Sequence, residues 1–241
     1  MKDNIALITG ASRGIGAETA RELSRAGAHV VLTARDEKAL RKVASTLVGP
    51  VTVVPADLLD EASVEKLVKE AMRTVGAPNV LVNVAGVWHN KRERYQGPSF
   101  WKTPMHRVEE VIGVGIIGGM RVTHGFLPAM VKRRSGHIIY VGCGFAGPHE
   151  AAGWLHYYVA NQAIAAMTAG LAAELRSSRI QVNCVAPWFV ATEYVQRFYR
   201  KEAAKALSPR RVAAAIRALV AGPLSSDVSG QVIELRSDED I

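Results

Sequence analysis

The chain has 241 residues, of which 49% are hydrophobic, and its formal net charge at pH 7 is +8. This length is that of one large α/β domain, and the apolar content is sufficient for its core. The basic residues are scattered, so the charge indicates a soluble surface and an anionic ligand rather than a nucleic-acid partner. The best candidate for a membrane span, residues 111–120, is far shorter than the roughly 20 residues required, so no membrane association is expected.

The N-terminus leads directly into the first predicted strand, which argues against a signal peptide. The two cysteines, Cys143 and Cys184, both lie in apolar strand-like runs, as is typical of proteins kept in a reducing compartment. We therefore expect a cytoplasmic protein.

Apolar strand-like runs alternate with amphipathic helical runs along the chain. Strands are predicted at residues 4–9, 29–34, 51–55, 79–83, 136–142, 179–185 and 231–235. Helices are predicted at residues 15–26, 36–47, 60–74, 104–131, 153–177 and 209–221. Continuous apolar strands separated by helices indicate parallel strands covered on both faces. The expected fold class is α/β, a Rossmann-type doubly wound parallel sheet of about seven strands with helices on both faces, in a single domain over residues 1–241.

A glycine-rich loop, TGASRGIG at residues 9–16, joins the first strand to the first helix. Glycine lets the backbone turn tightly and approach a ligand without an intervening Cβ. The N-terminus of the following helix directs amide N–H groups and a positive dipole end at that ligand. This motif in this position predicts a bound dinucleotide. The loop residues expected to contact it are Gly10, Ser12, Arg13, Gly14, Ile15 and Gly16.

The end of the second strand indicates which dinucleotide is bound. A carboxylate there would bond the ribose 2′-hydroxyl of NAD and repel a 2′-phosphate. The chain has Arg35 at this position and Arg13 inside the glycine loop, and two guanidinium groups suit a phosphate monoester. Asp36 is a competing carboxylate, but it is predicted to be the N-cap of the second helix, as Asp60 is of the third. We therefore expect NADP(H), the alternative being that both arginines are solvated surface residues.

Three further stretches stand out. Residues 86–103 and 187–206 are irregular, rich in aromatic residues, and follow strands at the carboxyl edge of the sheet. They are expected to enclose an apolar or aromatic small-molecule substrate, or else only to pack loops onto the body. The long predicted helix 104–131 contains Gly113, Gly115, Gly118 and Gly119, each costing about 1 kcal/mol relative to alanine. Such a cluster indicates close backbone approach to a neighbouring helix or to a ligand.

Together these motifs resemble those of the short-chain dehydrogenases/reductases over essentially the whole chain. The matching segments are the loop at 9–16, ADL at 56–58, NVAG at 83–86, residues 157–161, VN at 182–183 with Pro187, and Thr192. The resemblance implies a homodimer or homotetramer built on helices 104–131 and 153–177. It also implies which residues contact the coenzyme, at its adenine, along its underside and at its nicotinamide carboxamide. These residues are Asp57, Leu58, Asn83, Ala85, Gly86, Asn161, Pro187 and Thr192.

The chain departs from the family at its catalytic tetrad of Asn, Ser, Tyr and Lys. The resemblance places the tyrosine at Tyr157, but the lysine position is Asn161. The serine position falls at Cys143 or Gly144, and the asparagine position at Gly115. In addition, Trp188 follows Pro187 where the family usually has glycine.

These substitutions change the expected chemistry. Without a nearby ammonium, the pKa of Tyr157 is expected near its ordinary value of about 10, so the phenol stays neutral. A neutral phenol can donate a proton, which favours reduction of a carbonyl or imine over oxidation of an alcohol. Asn161 could still bond ribose hydroxyls, without charge.

Other groups near the tyrosine could act as acids or bases. His156, His149 and Glu150 are the candidates, although a lone histidine is often only a structural hydrogen-bonding group. Cys143 could act as a nucleophile only if it is exposed and electropositive, and is otherwise a small core residue.

Three functions remain open from the sequence. The first is an NADP(H)-dependent reductase of a carbonyl or imine, with Tyr157 as the proton donor and no tetrad lysine. The second is a non-redox enzyme of the same fold, catalysing a dehydration, isomerisation or cyclisation. The third is a non-catalytic NADP-binding protein. No metal site is predicted.

Overall fold

The computed structural model describes residues 1–90, 92–97, 99–145, 147–222 and 228–236. Within these ranges seven strands form one sheet, in the order β3-β2-β1-β4-β5-β6-β7, and every neighbouring pair is parallel. The strands are β1 (Ile5–Thr9), β2 (His29–Thr33), β3 (Val51–Val53), β4 (Val80–Asn83), β5 (Gly136–Val141), β6 (Ile180–Pro187) and β7 (Val232–Leu235). This arrangement confirms the predicted doubly wound α/β fold.

Helices cover both faces of this sheet. They are α1 (Gly14–Arg25), α2 (Glu37–Ala44), α3 (Glu61–Thr74), α4 (Met105–Ile112), α5 (Gly119–Arg133), α6 (Leu155–Glu174), α7 (Glu193–Phe198) and α8 (Pro209–Ala221). A π-helical turn, Gly113–Gly118, joins α4 to α5. Short 3₁₀ turns lie at Phe100–Lys102, Pro148–Ala151, Arg176–Ser178 and Glu202–Lys205.

The alternation of side chains along each strand divides the core into two layers. Leu7 and Leu81 face one side and pack with residues of α3, α5 and α6. Ile8 and Val82 face the other side and pack with residues of α1, α2 and α8. All four side chains are fully buried, and each such burial stabilises the fold by about 1.5–3 kcal/mol. The continuous apolar strands of the sequence are therefore explained by burial on both faces.

Two predicted N-caps are confirmed. The Asp36 carboxylate accepts a hydrogen bond from the Ala39 N–H at 3.0 Å and begins α2. The Asp60 carboxylate accepts one from the Ala62 N–H at 3.1 Å and begins α3. The carboxylate that follows β2 is thus engaged in capping its own helix.

The predicted helix 104–131 is interrupted, because its glycines bring the backbone against the loop after β3. A Cβ on Gly118 would lie 2.7 Å from the Leu58 Cβ, and one on Gly113 would lie 2.5 Å from the Leu59 Cδ2. The π-helical turn fits this approach, and Gly115 faces open space, with no other atom within 4 Å of its ideal Cβ position in the described structure. The glycine cluster therefore reflects close packing on a neighbouring loop.

The helical segment Met105–Arg133 is long and apolar enough to cross a membrane, by length and composition alone. Residues 111–120, on which the sequence-based expectation rests, are too short on their own to span a membrane. The segment's inner side chains Val122, Phe126 and Met130 are fully buried in the core. This packing is typical of a core helix in a folded domain.

The structure also adds a helix that the sequence pattern did not predict. Residues 187–206 were expected to be irregular, but α7 lies within them. The Thr192 hydroxyl caps this helix by accepting a hydrogen bond from the Val195 N–H at 3.4 Å. Within the other irregular stretch, 86–103, positions 91 and 98 lie outside the described residues.

The contact of Gly118 with Leu58 predicts that two glycine-to-alanine substitutions change the free energy of unfolding in opposite directions. Gly118→Ala should lower the free energy of unfolding by about 1–3 kcal/mol, because the added methyl overlaps a buried neighbour. Gly170→Ala is the control, since Gly170 is exposed on α6 with no atom within 4 Å of its ideal Cβ. It should raise stability by up to about 1 kcal/mol through helix propensity. Urea unfolding measures both, and equal effects would contradict the packing explanation.

Candidate active site

A groove of about 560 Å³ opens beyond the carboxyl ends of β1, β2 and β4. β1 and β4 are neighbours in the sheet although they are not consecutive in the chain, and ligands of doubly wound sheets bind at such a switch point. Most of the predicted coenzyme contacts line this groove. They are Gly10, Ser12, Arg13, Gly14, Ile15, Gly16, Arg35, Asp57, Leu58, Ala85, Gly86 and Thr192.

The glycine loop forms the floor of the groove because it lies directly on its neighbours. Gly10 has a φ of +65°, and a Cβ there would lie 3.0 Å from the Ala85 backbone N and Cα. A Cβ on Gly16 would collide with the Gly10 carbonyl oxygen. Gly14 has a φ of +53°, and its missing Cβ leaves the space in front of the Thr192 methyl. The groove therefore has a cradle that any side chain would fill.

Helix α1 begins at this cradle. Its N-cap residue, Arg13, makes no side-chain capping bond in the described structure, and its first turn contains no acidic residue. The amide N–H groups at its start can therefore bind an anion such as a pyrophosphate, which the helix dipole also favours.

Two guanidinium groups lie at the rim of the groove. Arg35 is 59% exposed, and its Nη1 lies 3.9 Å from a Glu110 carboxylate oxygen. The Arg13 Nη1 donates a hydrogen bond to the Tyr194 hydroxyl at 3.1 Å. The Asp36 carboxylate and Glu110 also line the groove, and the Asp36 carboxylate caps α2.

Arg13 also belongs to a contact that crosses the groove, which we call the Arg13–Tyr194–His89 clasp. The Arg13 guanidinium lies 4.5 Å from the centroid of the Tyr194 ring, and the His89 ring lies 3.7 Å from the same ring. Burial lowers the pKa of His89 to about 4, and the Arg13 charge acts in the same direction, so His89 is neutral at pH 7. The clasp connects the glycine loop, the segment after β4, and α7.

A second cavity, of about 420 Å³, adjoins the groove, and we call it the aromatic cavity. Ile15, Trp88 and Thr192 line both spaces. Of the other predicted site residues, Cys143, Tyr157 and Pro187 line the aromatic cavity. Seven of its described lining residues are aromatic, namely Trp88, Phe145, Trp154, Tyr157, Trp188, Phe189 and Tyr199.

The Cys143 Sγ lies within hydrogen-bonding distance of two carbonyl oxygens, those of Gly144 at 3.5 Å and Trp188 at 3.7 Å, and its thiol also interacts with the Tyr157 hydroxyl. Burial, with a smaller effect of Cys143, raises the pKa of Tyr157 well above its ordinary value, so the expectation of a value near 10 is wrong. Burial likewise raises the pKa of Cys143 to about 11, and the Glu150 charge adds to this effect. Both groups are therefore protonated at neutral pH, and Cys143 lacks the thiolate that a nucleophile requires.

Three predicted site residues line neither space. The Asn161 side chain is buried, its Nδ2 donates a hydrogen bond to the Tyr157 carbonyl oxygen at 2.8 Å, and the side chain acts to lower the pKa of the Tyr157 hydroxyl. The Asn83 Nδ2 donates to the Thr123 hydroxyl at 3.1 Å and ties β4 to α5. His156 is 3% exposed, and burial lowers its pKa. These three side chains are therefore held by hydrogen bonds or burial within the protein and do not line either space.

Some residues of the cavity were not singled out from the sequence. Trp154 and Phe145 lie against Tyr157, with ring centroids 6.0 and 6.1 Å away. The spacing of Trp154, three residues before Tyr157 at the start of the same helix, was a signal that could have found it. Phe145 follows β5 in an irregular segment and gave no such periodic signal.

Trp188 stands where the family resemblance implies a glycine, and the structure shows what makes room for its side chain. The indole lies directly over Gly144, where a Cβ would overlap the ring. The Trp188 Nε1 donates a hydrogen bond to the Glu234 carboxylate at 3.2 Å, and the Arg236 guanidinium lies 4.6 Å from the ring centroid. A glycine after β5 therefore compensates for the large side chain after β6.

Metal ligation has no evident site in the described ranges, where no cluster of three or more His, Cys, Asp or Glu side chains has a suitable arrangement.

Comparisons with known proteins agree with this geometry. The family model for short chain dehydrogenases matches residues 4–203. An uncharacterized oxidoreductase from Staphylococcus aureus (strain MW2) is 31% identical over 218 residues, which cover 90% of each chain. A metagenomic short-chain oxidoreductase solved in complex with NADP is 26% identical with a TM-score of 0.81, and the match covers 98% of this chain and 97% of that one. The 3-ketoacyl-(acyl-carrier-protein) reductase from Brucella melitensis, complexed with NADH, shares the fold at 24% identity and a TM-score of 0.87, over 100% and 99% of the two chains.

The contact between Gly144 and Trp188 predicts that substitutions at the two positions are coupled. Gly144→Ala should lower the free energy of unfolding by about 1–3 kcal/mol, because the methyl forces the indole out of its position. In a Trp188→Gly background the same substitution should have little effect. A double-mutant cycle by urea unfolding measures the coupling, and additive effects would show that the two side chains do not compete for space.

Proposed function

The chain belongs to the short-chain dehydrogenase family, and we propose that it is an NADP(H)-dependent reductase of a carbonyl or imine group. The observation that carries this proposal is the position of Tyr157. Its hydroxyl is held protonated in a cavity that adjoins the groove fitted for a dinucleotide. A nicotinamide coenzyme bound in that groove would supply the hydride, and the chain supplies the proton.

The residues of the groove suit the parts of such a coenzyme. The cradle at Gly14 and the N–H groups at the start of α1 would hold the pyrophosphate. Asp57 and Leu58 would border the adenine, while Ala85 and Gly86 would support the coenzyme from below. Thr192, whose methyl faces Gly14, would bond the nicotinamide carboxamide.

NADP(H) is favoured over NAD(H) by the charges at the rim. Arg35 and Arg13 can form forked, charge-assisted hydrogen bonds to a 2′-phosphate. Asp36, the carboxylate that could have bonded a 2′-hydroxyl, is engaged in capping α2. Solved structures of similar proteins contain either coenzyme, NADP in the metagenomic oxidoreductase and NADH in the 3-ketoacyl-(acyl-carrier-protein) reductase, so the choice rests on the rim residues alone.

Reduction is favoured over oxidation by the environment of Tyr157. Oxidation of an alcohol would require the phenolate form as a base. The position that holds a lysine in the family is Asn161, whose neutral amide is bonded to the Tyr157 carbonyl oxygen, and burial disfavours the phenolate further. The protonated phenol remains a competent donor to a developing alkoxide or amide anion.

A non-redox reaction in the same cavity is the second candidate. It is favoured by Glu150, which lines the aromatic cavity and whose charge acts on Cys143. A carboxylate base and the Tyr157 acid could together support an isomerisation or dehydration. Product formed without coenzyme oxidation would identify this reaction, and coenzyme binding without any turnover would identify a non-catalytic protein.

The proposal includes a cytoplasmic homodimer or homotetramer. Both cysteines are free thiols, which is compatible with a reducing compartment. The outer faces of α4, the π-helical turn, α5 and α6 carry exposed apolar side chains, which a partner subunit would cover. They are Met105, Ile117, Met120, Leu155 and Val159.

The coenzyme choice predicts a selective effect of Arg35. Wild-type protein should bind NADPH with a micromolar or lower Kd, measured by fluorescence titration. Arg35→Ala should weaken NADPH binding by about 10- to 100-fold, the loss of a charge-assisted contact, and change NADH binding by less than about threefold. Arg41→Ala, an exposed arginine on α2 that pairs with Glu37, should leave both unchanged. Equal weakening of NADPH and NADH binding would show that Arg35 does not recognise the 2′-phosphate.

The proton-donor role predicts that Tyr157→Phe lowers turnover of aldehyde and ketone substrates by about 10²- to 10⁴-fold. NADPH affinity should be unchanged. Tyr158→Phe is the control, because Tyr158 lines neither the groove nor the aromatic cavity. Steady-state kinetics with a carbonyl panel measures the effect, and unchanged turnover in Tyr157→Phe would exclude Tyr157 from the reaction.

The raised pKa of Tyr157 predicts a pH dependence. Because the donor form persists below that pKa, turnover should not fall between pH 6 and 9 through Tyr157 deprotonation. Asn161→Lys should lower the pKa of Tyr157 by placing an ammonium beside it. Ultraviolet difference titration should then detect one phenolate at lower pH than in the wild type, and its absence would contradict the electrostatic explanation.

The subunit proposal predicts a particle of at least twice the 26.0 kDa chain mass in size-exclusion chromatography with multi-angle scattering. A charge on the proposed interface, in Met120→Glu or Val159→Glu, should shift the mass toward the monomer. Val48→Glu, at a position 77% exposed after α2, should not. A monomeric wild-type protein would contradict the proposal.

A further inference from the structure

We propose that the aromatic cavity binds its substrate as an organic cation, so that the substrate is an amine-bearing carbonyl or imine compound held as its ammonium form. This inference rests on the proposed function for the identity of the reaction, and on the cavity alone for the charge of the ligand.

The first support is the arrangement of the rings. Trp88 lies between Trp154, 6.3 Å away, and Tyr199, 6.1 Å away, measured between ring centroids. Trp154 continues to Tyr157 at 6.0 Å, and Tyr199 continues to Phe189 at 5.5 Å. The rings therefore form a connected wall around one space rather than isolated contacts. Such walls recognise ammonium groups, because the face of each ring carries negative partial charge.

The second support is the charge of the aromatic cavity itself. In the described lining of this cavity the only charged side chain is Glu150, and no lysine or arginine is present there. Glu150 is exposed, and its negative charge acts on the Cys143 thiol. A cationic substrate would gain from both the rings and the carboxylate, whereas a carboxylate substrate would meet like charge.

The third support is that cations already lie on rings of this wall. The Arg94 guanidinium lies 5.1 Å from the Tyr199 ring centroid, and the Arg236 guanidinium lies 4.6 Å from that of Trp188. Neither arginine lines the cavity. The rings thus make cation–π contacts with the chain itself, and the aromatic cavity offers a ligand the same kind of surface.

The loss of the tetrad lysine agrees with this inference. A lysine at position 161 would bring an ammonium close to the Tyr157 backbone and raise the potential in the cavity. Asn161 leaves that region neutral. An ammonium substrate therefore avoids the repulsion that the family arrangement would impose on it.

The test compares two probes of the same shape that differ in charge, choline and 3,3-dimethylbutan-1-ol. Binding is measured by isothermal titration calorimetry, without coenzyme and in the presence of NADPH. We expect choline to bind about tenfold more tightly than the alcohol, as expected for an ammonium inside an aromatic wall. Trp154→Leu should reduce this preference to less than about threefold. Trp101→Leu is the control, because Trp101 is 81% exposed and does not line the cavity.

The carboxylate is tested separately. Glu150→Gln should reduce the preference for choline several-fold while leaving the affinity for the alcohol unchanged. Glu202→Gln, at an exposed position outside the cavity lining, should change neither. Circular dichroism and thermal unfolding show whether each variant is folded.

Equal affinity of the wild type for the two probes would overturn the inference, as would a preference that persists in both Trp154→Leu and Glu150→Gln. These outcomes are distinct from failure of the proposed function. If the protein prefers choline but does not bind NADPH, the cation site is supported and the proposed reaction is contradicted. If the protein binds NADPH but shows no preference for choline, only the cation site is contradicted.

Discussion

The close approach of the glycine loop to the end of β4 is the contact on which the site depends. Gly16 lies so near Gly10, and Gly10 so near Ala85, that no side chain fits at either glycine. This packing fixes where α1 begins and which way its first N–H groups point. It also keeps the space in front of Gly14 clear. The coenzyme groove is therefore a consequence of backbone packing, and the side chains around it add selectivity.

The residues that the family resemblance places at tetrad positions leave Tyr157 without a neighbouring ammonium. Asn161 donates its amide to the Tyr157 carbonyl oxygen, and the Cys143 thiol lies beside the Tyr157 hydroxyl. The aromatic cavity then has a protonated phenol and one carboxylate, whereas Arg13 and Arg35 line the coenzyme groove. A protonated phenol favours proton donation over proton removal. The coenzyme and the substrate would thus be recognised by largely different sets of side chains.

Much of the fold was predictable from the sequence, because burial on both faces leaves continuous apolar strands and capping leaves Asp36 and Asp60 at helix starts. The coenzyme groove was predictable because glycine spacing reports backbone geometry directly. The surroundings of single side chains were not. The Asn83 side chain is bonded to Thr123 and the His156 imidazole is buried, so neither lines the groove or the cavity. Asn161 is bonded to the Tyr157 carbonyl oxygen, a contact that its place in the sequence does not predict.

Helix α7 and the π-helical turn escaped prediction for a related reason. Helix α7 has only six residues and begins at a threonine cap, so it offers too short a pattern for periodicity to detect. The π-helical turn depends on contacts of Gly113 and Gly118 with the loop after β3. Tertiary contacts of this kind leave no local signal in the sequence.

The shared wall between the two spaces has a thermodynamic consequence. Trp88 and Thr192 line both, and α7 presents Tyr194 to the coenzyme groove and Val195 to the aromatic cavity. A ligand that displaces α7 or Trp88 on one side changes the space available on the other. Any resulting coupling is reciprocal, so the factor by which coenzyme changes substrate affinity equals the factor by which substrate changes coenzyme affinity. The size of that coupling would then depend on one short helix and one indole.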